Sequence, residues 1–98
     1  MRPSIQLATN RAQLRALASS FGFEDVLVFG SASREEDRED SDLDLLIQIH
    51  DDEKAFFPAF SLIAQMGKQF PQIRLDAVVD VLVKPAVLAA AKRDGFIL

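Results

Sequence analysis

The chain has 98 residues, 49% hydrophobic and 27% charged, a balance that excludes a disordered segment and suits one domain, residues 1–98, around one modest core. It has no cysteine, which excludes disulfides, thiolate metal sites and a cysteine nucleophile. The net charge is −4 with no Lys/Arg stripe to offset it, which disfavours a nucleic-acid partner, and no apolar run reaches membrane-spanning length, so the expected setting is the cytoplasm.

Residues Ser4 to Leu7 read as an irregular lead-in. Thr9 or Asn10 can cap a helix that runs to about Ser20, with Leu14, Leu17, Ala18 and Phe21 on one face and Arg11 and Arg15 off it. Gly22 is its stop. The apolar, β-branched run Val26-Leu27-Val28-Phe29 reads as a buried strand. It delivers Gly30, which allows a positive φ and a close backbone approach, and Ser31, whose hydroxyl and N–H suit a phosphate oxygen. Ser33 and Glu36 have the spacing of a capping box.

From Glu35 to Asp44 there are seven carboxylates against one Arg, Arg38, and Glu35 to Asp40 reads as a solvated acidic loop. A second strand, Leu43 to Ile49, starts at its end. Asp42 and Asp44 are two apart, so on a strand they project from the same face while Leu43 and Leu45 point into the packing. Two carboxylates held side by side repel, and a divalent cation between them is the simplest reason to build the pair; oxygen ligands suit Mg²⁺ or Mn²⁺.

His50, the sole histidine, reads as a loop residue, and Asp51 or Asp52 as the cap of a helix that begins near Phe56, because Pro58 is tolerated only in a first turn. Phe56, Phe60, Ile63 and Ala64 make its expected core stripe, and Gly67 its end. A third strand, Ile73 to Val81, carries Asp76 and Asp80 at the same parity, so either can face the Asp42–Asp44 pair. Pro85 opens a last helix to about Arg93, with Gly95 as its stop, and Phe96-Ile97-Leu98 either adds an edge strand or docks on a partner. The alternation predicts an α/β (α+β) fold with a small mixed sheet of three to four strands and helices packed on it.

The pattern Gly30-Ser31, Arg34, Ser41-Asp42-Leu43-Asp44-Leu45-Leu46 with a later strand Asp resembles the signature of minimal nucleotidyltransferases, small members of the DNA polymerase β superfamily. Glu35 and Ala32 depart from it: relatives usually have glycine at the first position and often a basic residue at the second. The resemblance implies the polymerase β palm-like fold, with Gly30, Ser31 and Arg34 toward the phosphates of ATP. Asp42 and Asp44 would bridge two Mg²⁺ ions, with Asp76, chosen over Asp80, as the third ligand and acceptor of the hydroxyl proton. Resembling proteins are often encoded beside an all-helical HEPN protein and act as antitoxins, some by adenylylating it on tyrosine. The expected activity is therefore transfer of AMP to a hydroxyl of such a partner, in a hetero- or homo-oligomer. A purely binding antitoxin, or one subunit of a two-chain enzyme for a small hydroxylated acceptor, stays open beside it.

Overall fold

The computed structural model describes residues 1–98. Helix α1 spans Pro3–Ser20, strand β1 Leu27–Phe29, the short helix α2 Gly30–Ser33 and strand β2 Leu43–Ile47. Helix α3 follows over Phe56–Gln69, strand β3 over Leu75–Val79, helix α4 over Pro85–Asp94 and the two-residue strand β4 over Phe96–Ile97. The four strands form one mixed sheet in the order β3-β2-β1-β4, with β1 antiparallel to both neighbours and β2 parallel to β3. A parallel neighbour needs a crossover, and α3 provides it.

Strand β2 is central, and Leu43, Leu45, Leu46 and Ile47 are all fully buried, which is why this stretch reads as an almost continuous apolar run. Leu43, Leu45 and Ile47 join Val28 of β1, Val79 of β3, Leu7, Leu14 and Ala18 of α1 and Ala59, Leu62 and Met66 of α3 in one core. That core lies on one face of the sheet. The other face carries Asp44 and Leu46, and α4 packs against β1. The chain's last strand pairs with β1, and Leu98 is buried with its N–H bonded to the Val26 carbonyl, so the tail adds an edge strand, with Ile97 half exposed on it.

Several elements differ from the sequence reading. Helix α1 begins at Pro3, so Ser4 to Leu7 is helical. Proline at the first helical position supplies a preset φ and has no N–H to leave unpaired. Thr9 and Asn10 do not cap; their side chains bond back to the Ile5 and Gln6 carbonyls within the helix. The Ser33–Glu36 capping box is absent: Ser33 closes α2 by donating to the Gly30 carbonyl, and Glu36 pairs with Arg34. Helix α3 buries Ala59, Leu62 and Met66 most deeply; of the expected stripe, Phe56 and Ile63 pack partly buried against the core, while Ala64 is exposed and Phe60 half exposed. A close seat on the sheet admits the small Ala59 where a phenylalanine would hold the helix away. The helix also continues past Gly67 to Gln69. Neither Asp51 nor Asp52 caps α3, which starts after Ala55 with no side-chain cap; Asp52 instead accepts the Lys54 N–H and caps a single 3₁₀ turn over Glu53–Ala55 just ahead of it.

Strand β3 is shorter than expected because Asp80 leaves the ladder. It is buried and accepts bonds from the N–H groups of Ile49, His50 and Val81, tying the end of β2 to the end of β3. His50 sits in a left-handed turn that those bonds secure (φ 53°), with its ring against Asp25. Asp80→Ala should therefore cost stability, not activity directly. Stranding these N–H groups should lower stability by roughly 3 kcal/mol, and the melting temperature by about 12 °C or more, read by thermal unfolding.

Candidate active site

The site assembles at one end of the sheet, from the end of β1 and the starts of β2 and β3. Phe29 pairs with Asp44 and Asp44 with Asp76, so one row across three strands carries the Gly30 turn on one side and two carboxylates beside it. Gly30 has φ +72°, in the left-handed region where a side chain is disfavoured, and its Cα faces the Asp44 carboxylate so closely that a Cβ would collide with it. Ser31 lies in the first turn of α2, partly exposed. Arg34 follows at the end of α2, pairs with Glu36 at 3.2 Å and is near enough to Asp44 for its charge to act there. Beside Gly30 a cleft of about 330 Å³ opens between Phe29, Arg34 and the small residues Ala86, Val87 and Ala90 of α4.

Asp44 and Asp76 come within hydrogen-bonding reach of one another. Burial, then the Asp76 charge, then Asp42, push the Asp44 carboxyl up to about 6, against the smaller opposing effect of Arg34. Asp42 is turned aside, its Oδ1 3.1 Å from Nε of Arg74. The parallel register puts Asp42-Leu43-Asp44 beside Arg74-Leu75-Asp76, so one carboxylate faces a guanidinium and the other faces a carboxylate. Three acidic or histidine side chains do not converge into a closed cage. Asp80, the other candidate for third carboxylate, belongs to the β2–β3 junction described above.

The sequence model of the nucleotidyltransferase domain family matches residues 11–91, from within α1 to α4. The chain belongs to the nucleotidyltransferase domain family. It is similar over 98% of its length to a solved structure described as a minimal nucleotidyltransferase, at 28% identity and a TM-score of 0.76, covering 96% of that chain. A nucleotidyltransferase from Sulfolobus solfataricus shares the fold at 22% identity and a TM-score of 0.60, over 97% of this chain and 81% of that one. No curated protein matches the sequence.

Nucleotidyltransferases of this family take a nucleoside triphosphate and a divalent metal. The donor set here fits a hard divalent ion, because a half-buried carboxylate pressed against a second one is relieved by a cation between them. An open arrangement is also what Mg²⁺-type ions use, one or two carboxylates with substrate phosphates and water completing the shell. The sequence reading missed Arg74. Its signal, an Arg two residues before Asp76 as Asp42 is two before Asp44, has meaning only once the strand register is known.

The Asp44 shift carries a sign. The folded chain holds the Asp44 proton to about pH 6 while the unfolded chain releases it near 3.8, so this group's stabilising contribution is present at low pH and is lost as pH rises between those values. Asp37 and Asp94 are shifted the other way, and their contributions change only below that window. The metal-free protein should melt higher near pH 5 than near pH 7.5, and Asp44→Asn should shrink the difference. Affinity for a divalent ion should rise through about pH 6 and then level off. An unchanged pH difference in the Asn variant would assign the effect elsewhere.

Proposed function

We propose that this nucleotidyltransferase moves AMP from ATP to a hydroxyl group on a partner protein, an all-helical HEPN-type protein, and acts as its antitoxin. The reading rests most on one observation: Asp44 and Asp76 stand together beside the Gly30 turn, on adjacent strands of which β3 is the sheet edge. Gly30 and Ser31 would lie along the β- and γ-phosphates, with Arg34 offsetting their charge. Asp42, Asp44 and Asp76 would hold Mg²⁺, Asp42 after release from Arg74. The metal supplies charge neutralisation on the attacking and leaving oxygens.

Asp76 is exposed and next to Asp44, and there it would take the proton of the incoming hydroxyl. The hydroxyl oxygen forms a bond to the α-phosphorus, the bond from that phosphorus to the bridging oxygen breaks, and pyrophosphate departs on the Gly30–Ser31 side. Because β3 is an edge strand, a hydroxyl reaching Asp76 from beyond it comes from outside this chain. That favours a second molecule as acceptor.

The test incubates the chain with α-labelled ATP, Mg²⁺ and the neighbouring gene's product, then maps the label by mass analysis. Label on a tyrosine, serine or threonine of that product, absent with Asp76→Ala, is the expected result. Neutralisation of the partner without label would favour antitoxin action by contact, and efficient labelling of a free small hydroxylated compound would remove the need for a protein acceptor.

A further inference from the structure

The acidic loop between α2 and β2 is not uniformly solvated. Glu35, Glu36, Arg38, Glu39 and Asp40 are exposed, but Asp37 is only 4% exposed. Its Oδ2 accepts the Ser4 N–H of α1's first turn at 2.8 Å, and its Oδ1 is buried with no partner at all. Burial alone would push this carboxyl up; the Ser4 bonds and the nearby Arg2 charge outweigh it and hold Asp37 below the usual range, ionised. A buried charge with one unmet oxygen is a poor choice for stability alone. It is a fixed attachment between the loop and a helix 33 residues earlier.

On both sides of Asp37 the chain is tied down. Before it, the N–H groups of Arg34 and Glu36 bond to the Ser31 carbonyl, and Glu35 N–H to Ala32, closing a turn in which Glu35 is left-handed at φ 56°. A side chain makes that conformation unfavourable, so something must hold it. After it, Arg38 N–H donates to Ser41 Oγ, and Ser41 N–H to the Arg38 carbonyl, which leads directly into Asp42. The path from Ser31 to Asp42 is thus two closed turns with the Asp37 attachment between them.

We propose that Asp37 is a positioning residue: its attachment to the first turn of α1 holds the left-handed turn at Glu35, and so sets where Arg34 and Asp42 stand relative to Asp44. Released from α1, Glu35 relaxes out of the left-handed region and carries Arg34 away from the Gly30 side. A glycine at position 35 keeps that turn without the attachment, because glycine adopts positive φ freely. Asparagine at position 37 keeps the attachment, because its side-chain oxygen still accepts the Ser4 N–H. The functional half of this proposal rests on the nucleotidyl-transfer reading; the structural half does not.

The experiment measures amide hydrogen exchange at Arg34, Glu35 and Glu36 and, in parallel, KM and kcat with ATP, in wild type, Asp37→Ala, Asp37→Asn and Glu35→Gly/Asp37→Ala. Exchange at these amides should be at least about tenfold faster in Asp37→Ala and within about threefold of wild type in the other two variants. The KM for ATP should follow, about tenfold higher in Asp37→Ala alone, with a smaller change in kcat. A general structural role would not be rescued by glycine two residues away. Wild-type exchange in Asp37→Ala overturns the proposal, as does a double variant as loose as the single one, or faster exchange with an unchanged KM. Should Asp37→Ala fail to fold, a folded and protected double variant supports the proposal and an unfolded one overturns it. If the wild-type chain transfers no nucleotide, the transferase reading falls while the exchange data still decide the attachment.

Discussion

Asp76→Ala should abolish nucleotidyl transfer while leaving nucleotide binding largely in place. The expected loss in kcat is at least about 10³-fold, because in the proposed reaction Asp76 would be both the proton acceptor and a metal-facing carboxylate. Asp44→Asn should lose transfer equally and weaken metal-dependent nucleotide binding as well, since Asp44 is the carboxylate shared between Gly30 and Asp76. Neither variant should unfold the protein. Each removes one of two mutually repelling groups, so metal-free melting temperatures should hold or rise. Melting that fell by many degrees in either variant would make the pair a structural element, and retained turnover in Asp76→Ala would move the proton acceptor to another group.

Gly30→Ala should be nearly as damaging from the opposite side of the row. The added methyl group meets the Asp44 carboxylate, and the left-handed φ costs a further 1–2 kcal/mol, roughly, for any L side chain. The carboxylate must then swing away from the place where Asp76 meets it. Transfer should fall about 100-fold or more, while melting drops by only about 4–8 °C per kcal/mol of strain. Since the clash is with a flexible side chain, the discriminating partner is Gly30→Ala combined with Asp44→Asn. Once Asp44 no longer functions, the methyl group should cause little further loss of transfer, whereas additive losses would mean that Gly30 acts through its own backbone contacts.

The strands and the Gly30 turn were legible because a buried strand must be apolar and a turn that brushes a carboxylate must lack a side chain; Val28, Leu45 and Gly30 each announce that alone. The pairing of Asp44 with Asp76 was half legible. Parity places each on a face, but parity also allowed Asp80, and only the bonds from the Ile49, His50 and Val81 N–H groups show why Asp80 is used at the strand junction. The face of α3 was legible only in part: Phe56 and Ile63 do pack against the core, but bulk was taken as the sign of burial at Phe60, whereas the seat against the sheet selects Ala59 with Leu62 and Met66. Asp37 could not be read at all. It sits in a run of like residues, and what sets it apart is a helix start that Pro3, not a capping side chain, defines.

The parallel alignment of β2 with β3 also bears on how the protein becomes competent. Asp44 and Asp76 are separated in sequence by the whole of α3 and meet only when the crossover has closed and β3 has slid into register. Contacts this distant along the chain form late, after the loop-closure entropy has been met. A slip of one residue would turn Asp76 to the core face and a core residue to the reaction face. Misregistered chains would therefore be inert as well as unstable, and chemistry at this site would report that this long-range step of folding is complete. Catalysis should appear in refolding experiments behind the helical signal, once β3 has paired with β2.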